Sequence, residues 1–192
     1  MKANLIEQVL ANDIEEVLIT PEDITLKVRE LGQRISADYA DKDPLLVGIL
    51  RGAFIFLADL IREMGIPVET DFIAISSYGS TTTTSGVVRI LKDLDDDIAG
   101  KHVLIIEDIL DTGLTLNYLV KNLSSRRPAT LEVCSFIIKD GKQRVSIKPK
   151  YSGFTVPNTF VVGYGLDYAQ KYRNLPFVGT LKRSAYEDDE ML

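Results

Sequence analysis

Three carboxylates crowd one short stretch, Glu107-Asp108-Ile109-Leu110-Asp111, and Thr112-Gly113-Leu114-Thr115 follows directly. The second group has the makings of an anion cradle. Backbone N–H groups at the start of a helix, two hydroxyls and a glycine that allows close approach can together surround a phosphate. Glu107 and Asp108 work against this, because carboxylates repel a phosphate unless they serve sugar hydroxyls or a cation. A ribose phosphate meets both demands, with acids on the diol and amides on the phosphate. The plain alternative is a polar loop between strand and helix, but so many functional groups in register after an apolar strand exceed what a loop needs.

Competing motifs are absent. No GxxxxGK[ST] occurs, which disfavours a P-loop nucleoside triphosphatase, and no GxGxxG opens a helix; GYGLDY at 163–168 lacks the third glycine. An aspartyl-phosphate hydrolase carries DxDx[TV], whereas Asp108 and Asp111 are three apart rather than two.

The elements that must position these groups follow from pattern. HVLIIED reads as the strand that delivers the acids and LNYLVKNL as the helix after the cradle. Upstream, Thr20 as N-cap, Pro21 at the first helical position and Glu22-Asp23 in the first turn open a helix. Ile24, Val28, Leu31 and Ile35 carry its apolar face to about Tyr39. LLVGIL (45–50) is an apolar run suited to a buried strand, punctuated by Arg51-Gly52 before the helical segment AFIFLADLIREM, which stops at Gly65. VETDFIAISS, GVVRILKD and LEVCSFIIKD read as further strands. From Tyr151 onward the β-type runs are NTFVVGYG and FVGTL, and the acidic tail, about 186–192, is expected to be disordered. Strands alternating with helices imply an α/β fold with a mostly parallel sheet covered on both faces. In such open sheets ligands bind beyond the carboxyl ends of the strands, where EDILDTGLT falls.

Composition sets the outer bounds. A chain of 192 residues, 45% hydrophobic and 26% charged with no long apolar run, is expected to form one globular domain, not a membrane span. The opening MKANLIEQVLANDIEEVL has no continuous apolar core of a secretory signal, which leads to an expectation of the cytoplasm. A net charge of −6 argues against general binding to nucleic acid or an anionic membrane. Cys134, within LEVCSFII, reads as a small core residue, His102 as structural, and the run DLDDD as a solvated acidic turn.

VLIIEDILDTGLT resembles the phosphoribosyl-diphosphate (PRPP) signature of the type I phosphoribosyltransferases: an apolar run, two acids and a D-[ST]-G-x-T loop. From about Leu18 to Leu181 the chain resembles the hypoxanthine-guanine branch of the type I purine phosphoribosyltransferase family. That narrowing is carried by GILRGAFIFLADL (48–60), ISSYGS (75–80), FIIKD (136–140) and FVVGYGLDYAQKYRNL (160–175). The resemblance implies the type I phosphoribosyltransferase fold, a mostly parallel central sheet flanked by helices with a small hood formed by the C-terminal part. It implies Mg²⁺-dependent transfer of 5-phosphoribosyl from PRPP to N9 of a 6-oxopurine, hypoxanthine or guanine, in a homodimer or homotetramer. By the same resemblance Glu107 and Asp108 approach the ribose hydroxyls and their Mg²⁺, and Asp111 is the general base at purine N7. Thr112, Gly113, Leu114 and Thr115 hold the 5-phosphate, and Arg51, Gly52 and Arg173 the diphosphate. Lys139 donates to the 6-oxo group, Phe160 stacks on the purine, Val161 reads its edge through the backbone, and Asp167 serves the guanine edge or a second Mg²⁺. The tract at about 76–86 becomes a lid closing with Ser77 and Tyr78, and Leu50–Arg51 the place of a non-proline cis peptide. Leu114 stands where some relatives have lysine, at a position that contributes mainly its N–H. Two rivals are a regulator that keeps the PRPP fold to bind RNA or DNA, which the acidic charge disfavours, and an enzyme acting on xanthine or a pyrimidine.

Overall fold

The computed structural model describes residues 12–77 and 88–185. Tyr78 and most of the expected lid lie outside the described residues, as does the acidic tail; Ser77 is the last residue of its strand.

The chain forms two compact units. The larger comprises Lys27–Asn158, and the other takes the described residues up to Leu26 and from Thr159 on. In the larger unit the strands are β2 (Pro44–Leu50), β3 (Glu69–Ser77), β4 (Val88–Lys92), β5 (His102–Leu110), β6 (Thr130–Lys139) and β7 (Tyr151–Val156). They make one sheet in the order β4-β3-β2-β5-β6-β7, parallel throughout except for the antiparallel β3–β4 pair. Helix α2 (Phe54–Arg62) links β2 to β3 and helix α3 (Leu114–Ser124) links β5 to β6.

Side-chain alternation along β2 puts Leu45, Val47 and Ile49 in one core cluster with Leu116, Leu119 and Leu123 of α3. The opposite face is closed by α2, whose Phe56 ring lies 4.9 Å from that of Phe136 on β6. With both faces covered, central strands must be apolar throughout, and β2 is buried at every residue but the last. The two crossovers leave the sheet's centre in opposite directions, β2–α2–β3 to one side and β5–α3–β6 to the other. The carboxyl ends of β2 and β5 therefore flank the point where strand order reverses, the place an open α/β sheet offers to a ligand.

In the smaller unit β1 (Ile14–Ile19) pairs antiparallel with β8 (Val178–Leu181), and Ile14, Val162, Leu175, Phe177 and Leu181 form its core. Helix α1 (Pro21–Asp38) starts as expected. The Asp23 N–H donates to the Thr20 hydroxyl oxygen at 3.1 Å, and the Thr20 N–H reaches back to Asp23 at 3.4 Å, a reciprocal cap. Ile24, Val28, Leu31 and Ile35 are all buried.

Several expectations change. The strand carrying the acids does not stop at Asp108 but runs to Leu110, with Glu107 paired to Ser135 and Ile109 to Ile137 of β6. NTFVVGYG is not a strand: it makes two isolated bridges, Val162 to Gly179 and Gly163 to Leu166. Neither β1 nor β7 was expected. The run DLDDD is more than a solvated turn, because Arg126 clasps Asp93 at 2.8 Å and 2.9 Å and Lys92 pairs with Asp95 at 3.1 Å. Cys134 is a free, fully buried thiol, which burial pushes well above the ordinary range, and His102 Nδ1 lies 3.0 Å from the Thr130 hydroxyl. No described helix is long and apolar enough to cross a membrane.

Candidate active site

Parallel pairing of β2 with β5 brings the turn after β2 against the acids of β5. That turn contains a cis peptide at Leu50–Arg51. At Gly52 an added Cβ would lie 1.5 Å from Asp108 Oδ2, so the carboxylate sits directly against the glycine backbone. Asp108 Oδ1 is in turn held by the Ile109 N–H at 2.8 Å. Glu107 is adjacent and half-buried. Burial first, then the charge of Asp108 and a hydrogen bond to it, push the Glu107 carboxyl well above the usual range. Two neighbouring carboxyls held this way favour a shared proton or an outside cation.

Beyond β5 the chain turns sharply through Asp111-Thr112-Gly113. Gly113 has φ of 78°, in the left-handed region, and caps α3 without any side-chain hydrogen bond. The first turn of α3 contains no acid to repel an anion from its amides, and the Leu114 N–H makes only a long contact, 3.5 Å, with the Thr112 hydroxyl. Glu107, Asp111, Thr112, Gly113 and Thr115 line a cavity of about 180 Å³ together with Ile109, Leu110 and Leu116.

Asp111 is engaged by two cations. Its Oδ2 lies 2.9 Å from Lys142 Nζ and 3.4 Å from Lys139 Nζ, while Oδ1 is buried with no hydrogen-bond partner among the described residues. Lys139, at the end of β6, has a side chain only 8% exposed. The segment after it folds over the Thr112-Gly113 turn. The Arg144 N–H donates to the Thr112 carbonyl at 2.9 Å, the Gln143 side-chain amide donates to the Lys139 carbonyl, and Val145 packs against Gly113. Lys142 and its loop were not anticipated. Their only sequence signal is the basic pair flanking glutamine in DGKQR, which composition alone does not separate from a solvated loop.

The remaining candidates belong to the smaller unit. Phe160 is 51% exposed and meets Tyr168 edge-on at 5.8 Å, leaving a ring face open to stacking. Val161 is buried. Asp167 and Arg173 hold each other at 2.6 Å; Arg173 also donates to the Gly165 carbonyl at 2.7 Å, and Asp167 accepts the Gln170 N–H at 2.9 Å. Around them Tyr164, Ala169, Gln170 and Tyr172 all adopt positive φ, an unusual density of left-handed residues bearing side chains.

The phosphoribosyl transferase domain family matches residues 14–169. A hypoxanthine-guanine phosphoribosyltransferase of Bacillus subtilis is 48% identical over 178 residues, covering 93% of this chain and 99% of that protein. One from Mycobacterium avium is 49% identical over 181 residues, covering 91% and 89%. The chain belongs to the hypoxanthine-guanine phosphoribosyltransferase family. A crystal structure of a hypoxanthine phosphoribosyltransferase from Staphylococcus aureus superimposes with a TM-score of 0.89 at 46% identity, covering 93% of this chain and 97% of that one. The fold is thus the type I phosphoribosyltransferase fold, and membership of this phosphoribosyltransferase family makes the chain a transferase. Within the larger unit Gly52 lies against Asp108 and Lys139 against Asp111, beside the cavity lined by Glu107 and the Asp111–Thr115 segment.

Proposed function

We propose that this protein transfers the 5-phosphoribosyl group of PRPP to N9 of hypoxanthine or guanine, giving IMP or GMP and diphosphate, in cytoplasmic purine salvage. The observation that carries the reading is the strand-order reversal, where Asp108, seated on Gly52 beside Glu107, precedes an acid-free helix start at Gly113. An anion cradle beside two carboxylates suits a sugar phosphate better than a phosphate alone. The similarity to curated relatives along most of the chain supports the same reading.

In this assignment the Thr112–Thr115 turn binds the 5-phosphate through backbone amides and hydroxyls. Glu107 and Asp108 take the ribose hydroxyls and Mg²⁺. Their hard oxygens fit that ion, and a cation offsets both the burial and, after it, the Asp108 repulsion that keep the Glu107 carboxyl high. No group of three or more potential protein ligands occurs among the described residues, so the rest of the ion's shell falls to substrate oxygens and water. Bound Mg²⁺ supplies positive charge to the departing diphosphate. Arg51 and the Gly52 backbone serve the same leaving group.

Bond exchange at C1 passes through a cationic sugar, so the protein must hold the charges rather than supply a nucleophile. Asp111 accepts the N7 proton as the N9–C1 bond forms and the bond to diphosphate breaks. Lys139 donates to the 6-oxo group, a contact that adenine's 6-amino donor cannot return. We assign Phe160 to the purine face and the Val161 backbone to its edge. Arg173 reaches diphosphate, and Asp167 the guanine edge or a second cation, only after their mutual ion pair opens. The assembly expected from the family resemblance is a homodimer or homotetramer.

The test is to incubate the protein with PRPP and Mg²⁺ and, separately, hypoxanthine, guanine, xanthine, adenine or uracil, and to measure nucleotide and diphosphate. IMP and GMP in equal molar amount to diphosphate are expected. Turnover confined to adenine or uracil, or none at all, would overturn the assignment.

A further inference from the structure

The ion pair between Asp111 and Lys142 has no place in the scheme above. Lys139 is already committed to the 6-oxo group, yet Lys142 approaches Asp111 more closely, 2.9 Å against 3.4 Å, and on the same oxygen. The other oxygen of Asp111 is enclosed. Both carboxylate oxygens are therefore withheld from an incoming proton donor, one by burial and one by Lys142. The loop that carries Lys142 is tied to the parts around it: Arg144 to the Thr112 carbonyl, Gln143 to the Lys139 carbonyl, and Val145 to Gly113. Those ties fix the backbone on either side of Lys142 and leave its long side chain as the movable part.

The structure assigns Lys142 as a positioning residue: a latch that occupies Asp111 Oδ2 in the base-free protein and must yield that oxygen to the N7–H of the incoming purine. The assignment rests on Asp111 acting as the base in the proposed reaction. The exchange replaces a charge-assisted contact with a neutral N7–H donor, so Lys142 competes with the purine in the ground state and makes no contact with the reacting atoms. Once Asp111 has accepted the proton its carboxyl is neutral, and an ammonium gains little by returning. Lys142 recovers its place only after that proton has left, which couples the reset of the base to the return of the latch.

The energetics are modest. Both side chains are about one-third exposed, 34% for Lys142 and 38% for Asp111, so the pair belongs with the weakly coupled, partly solvated class. Removing it should strengthen purine binding by about 2- to 5-fold. The experiment is steady-state kinetics of Lys142→Met and Lys142→Arg with hypoxanthine and PRPP varied separately. For Lys142→Met the purine KM is expected to fall about 2- to 5-fold, with a smaller change in kcat and none in the PRPP KM; a competitor removed from the ground state produces that split. Lys142→Arg should restore the parental purine KM. A purine KM that stays constant or rises in Lys142→Met, with the parent active, refutes the latch alone. A parent that makes no nucleotide refutes the underlying reaction instead. Should Lys142→Met not fold, Lys142→Gln gives the same readout.

Discussion

Gly52→Ala tests whether the first loop and the acid pair form one rigid site. The added methyl carbon would stand 1.5 Å from Asp108 Oδ2 and 2.4 Å from its Cγ, well inside contact distance. Asp108 cannot simply swing aside. It is 9% exposed, lies on a central strand, and has its other oxygen held by the Ile109 N–H at 2.8 Å. Either the loop retreats or the carboxylate loses that hydrogen bond. Forcing a methyl into a packed site costs about 1–3 kcal/mol, which for a chain of this length lowers Tm by about 2–4 °C per kcal/mol. Activity should suffer more than stability, because displacing the groups at a reacting centre by about 1 Å costs about 100-fold. The assay pairs thermal unfolding with kcat/KM for PRPP. Gly65→Ala is the control, since an added Cβ there meets nothing within 4 Å and the change should stay within about 0.5 kcal/mol. If Gly52→Ala keeps the parental kcat/KM and Tm, the seating of Asp108 on the loop is wrong.

Two further outcomes follow from the same site. Asp111→Asn should lower kcat by about 10²- to 10⁴-fold while leaving PRPP affinity, measured by calorimetry, within about 3-fold; undiminished turnover would remove Asp111 from the base role. Glu107 supplies a pH test without divalent cations: the unfolded chain gives up this proton near about pH 4.3. Burial, and after it Asp108, make the folded chain keep the proton to higher pH. The folded state then binds more protons across that window, so the group's contribution to stability falls as pH rises through it. Glu107→Gln removes the fall and should be more stable than the parent at pH 7 by about 1–3 kcal/mol, the scale of an uncompensated buried polar group. Urea unfolding curves of parent and variant that move in parallel from pH 4 to 8 would contradict the raised Glu107 carboxyl.

Legibility in the sequence divides along physical lines. Elements with one strong local signal were read correctly: the capped start of α1, the wholly apolar β2, and the alternation of strand and helix through α3. The elements missed lack such a signal. β1 carries two consecutive acids, a valine and a leucine between its isoleucines, with only Ile14 and Ile19 buried, and it exists as a strand because β8 pairs with it. β7, an edge strand broken by Gly153, owes its pairing to β6. NTFVVGYG looks like a strand, yet its glycines take positive φ and the chain turns instead.

The residue types at 105–116 suggested a sugar-phosphate site by themselves, because carboxylates, hydroxyls and a glycine in that order suit acids on a diol and amides on a phosphate. They also located the chemistry at a strand-to-helix transition, since the periodicity changes there. Only the tertiary structure decided which groups from elsewhere meet them. Pairing of β2 with β5 presses Gly52 onto Asp108, and the turn after β6 delivers Lys142 to Asp111 across 31 positions of sequence. Such contacts depend on strand order and loop path, which a linear pattern does not encode, and they set the charge state and availability of the acids that the sequence had already displayed.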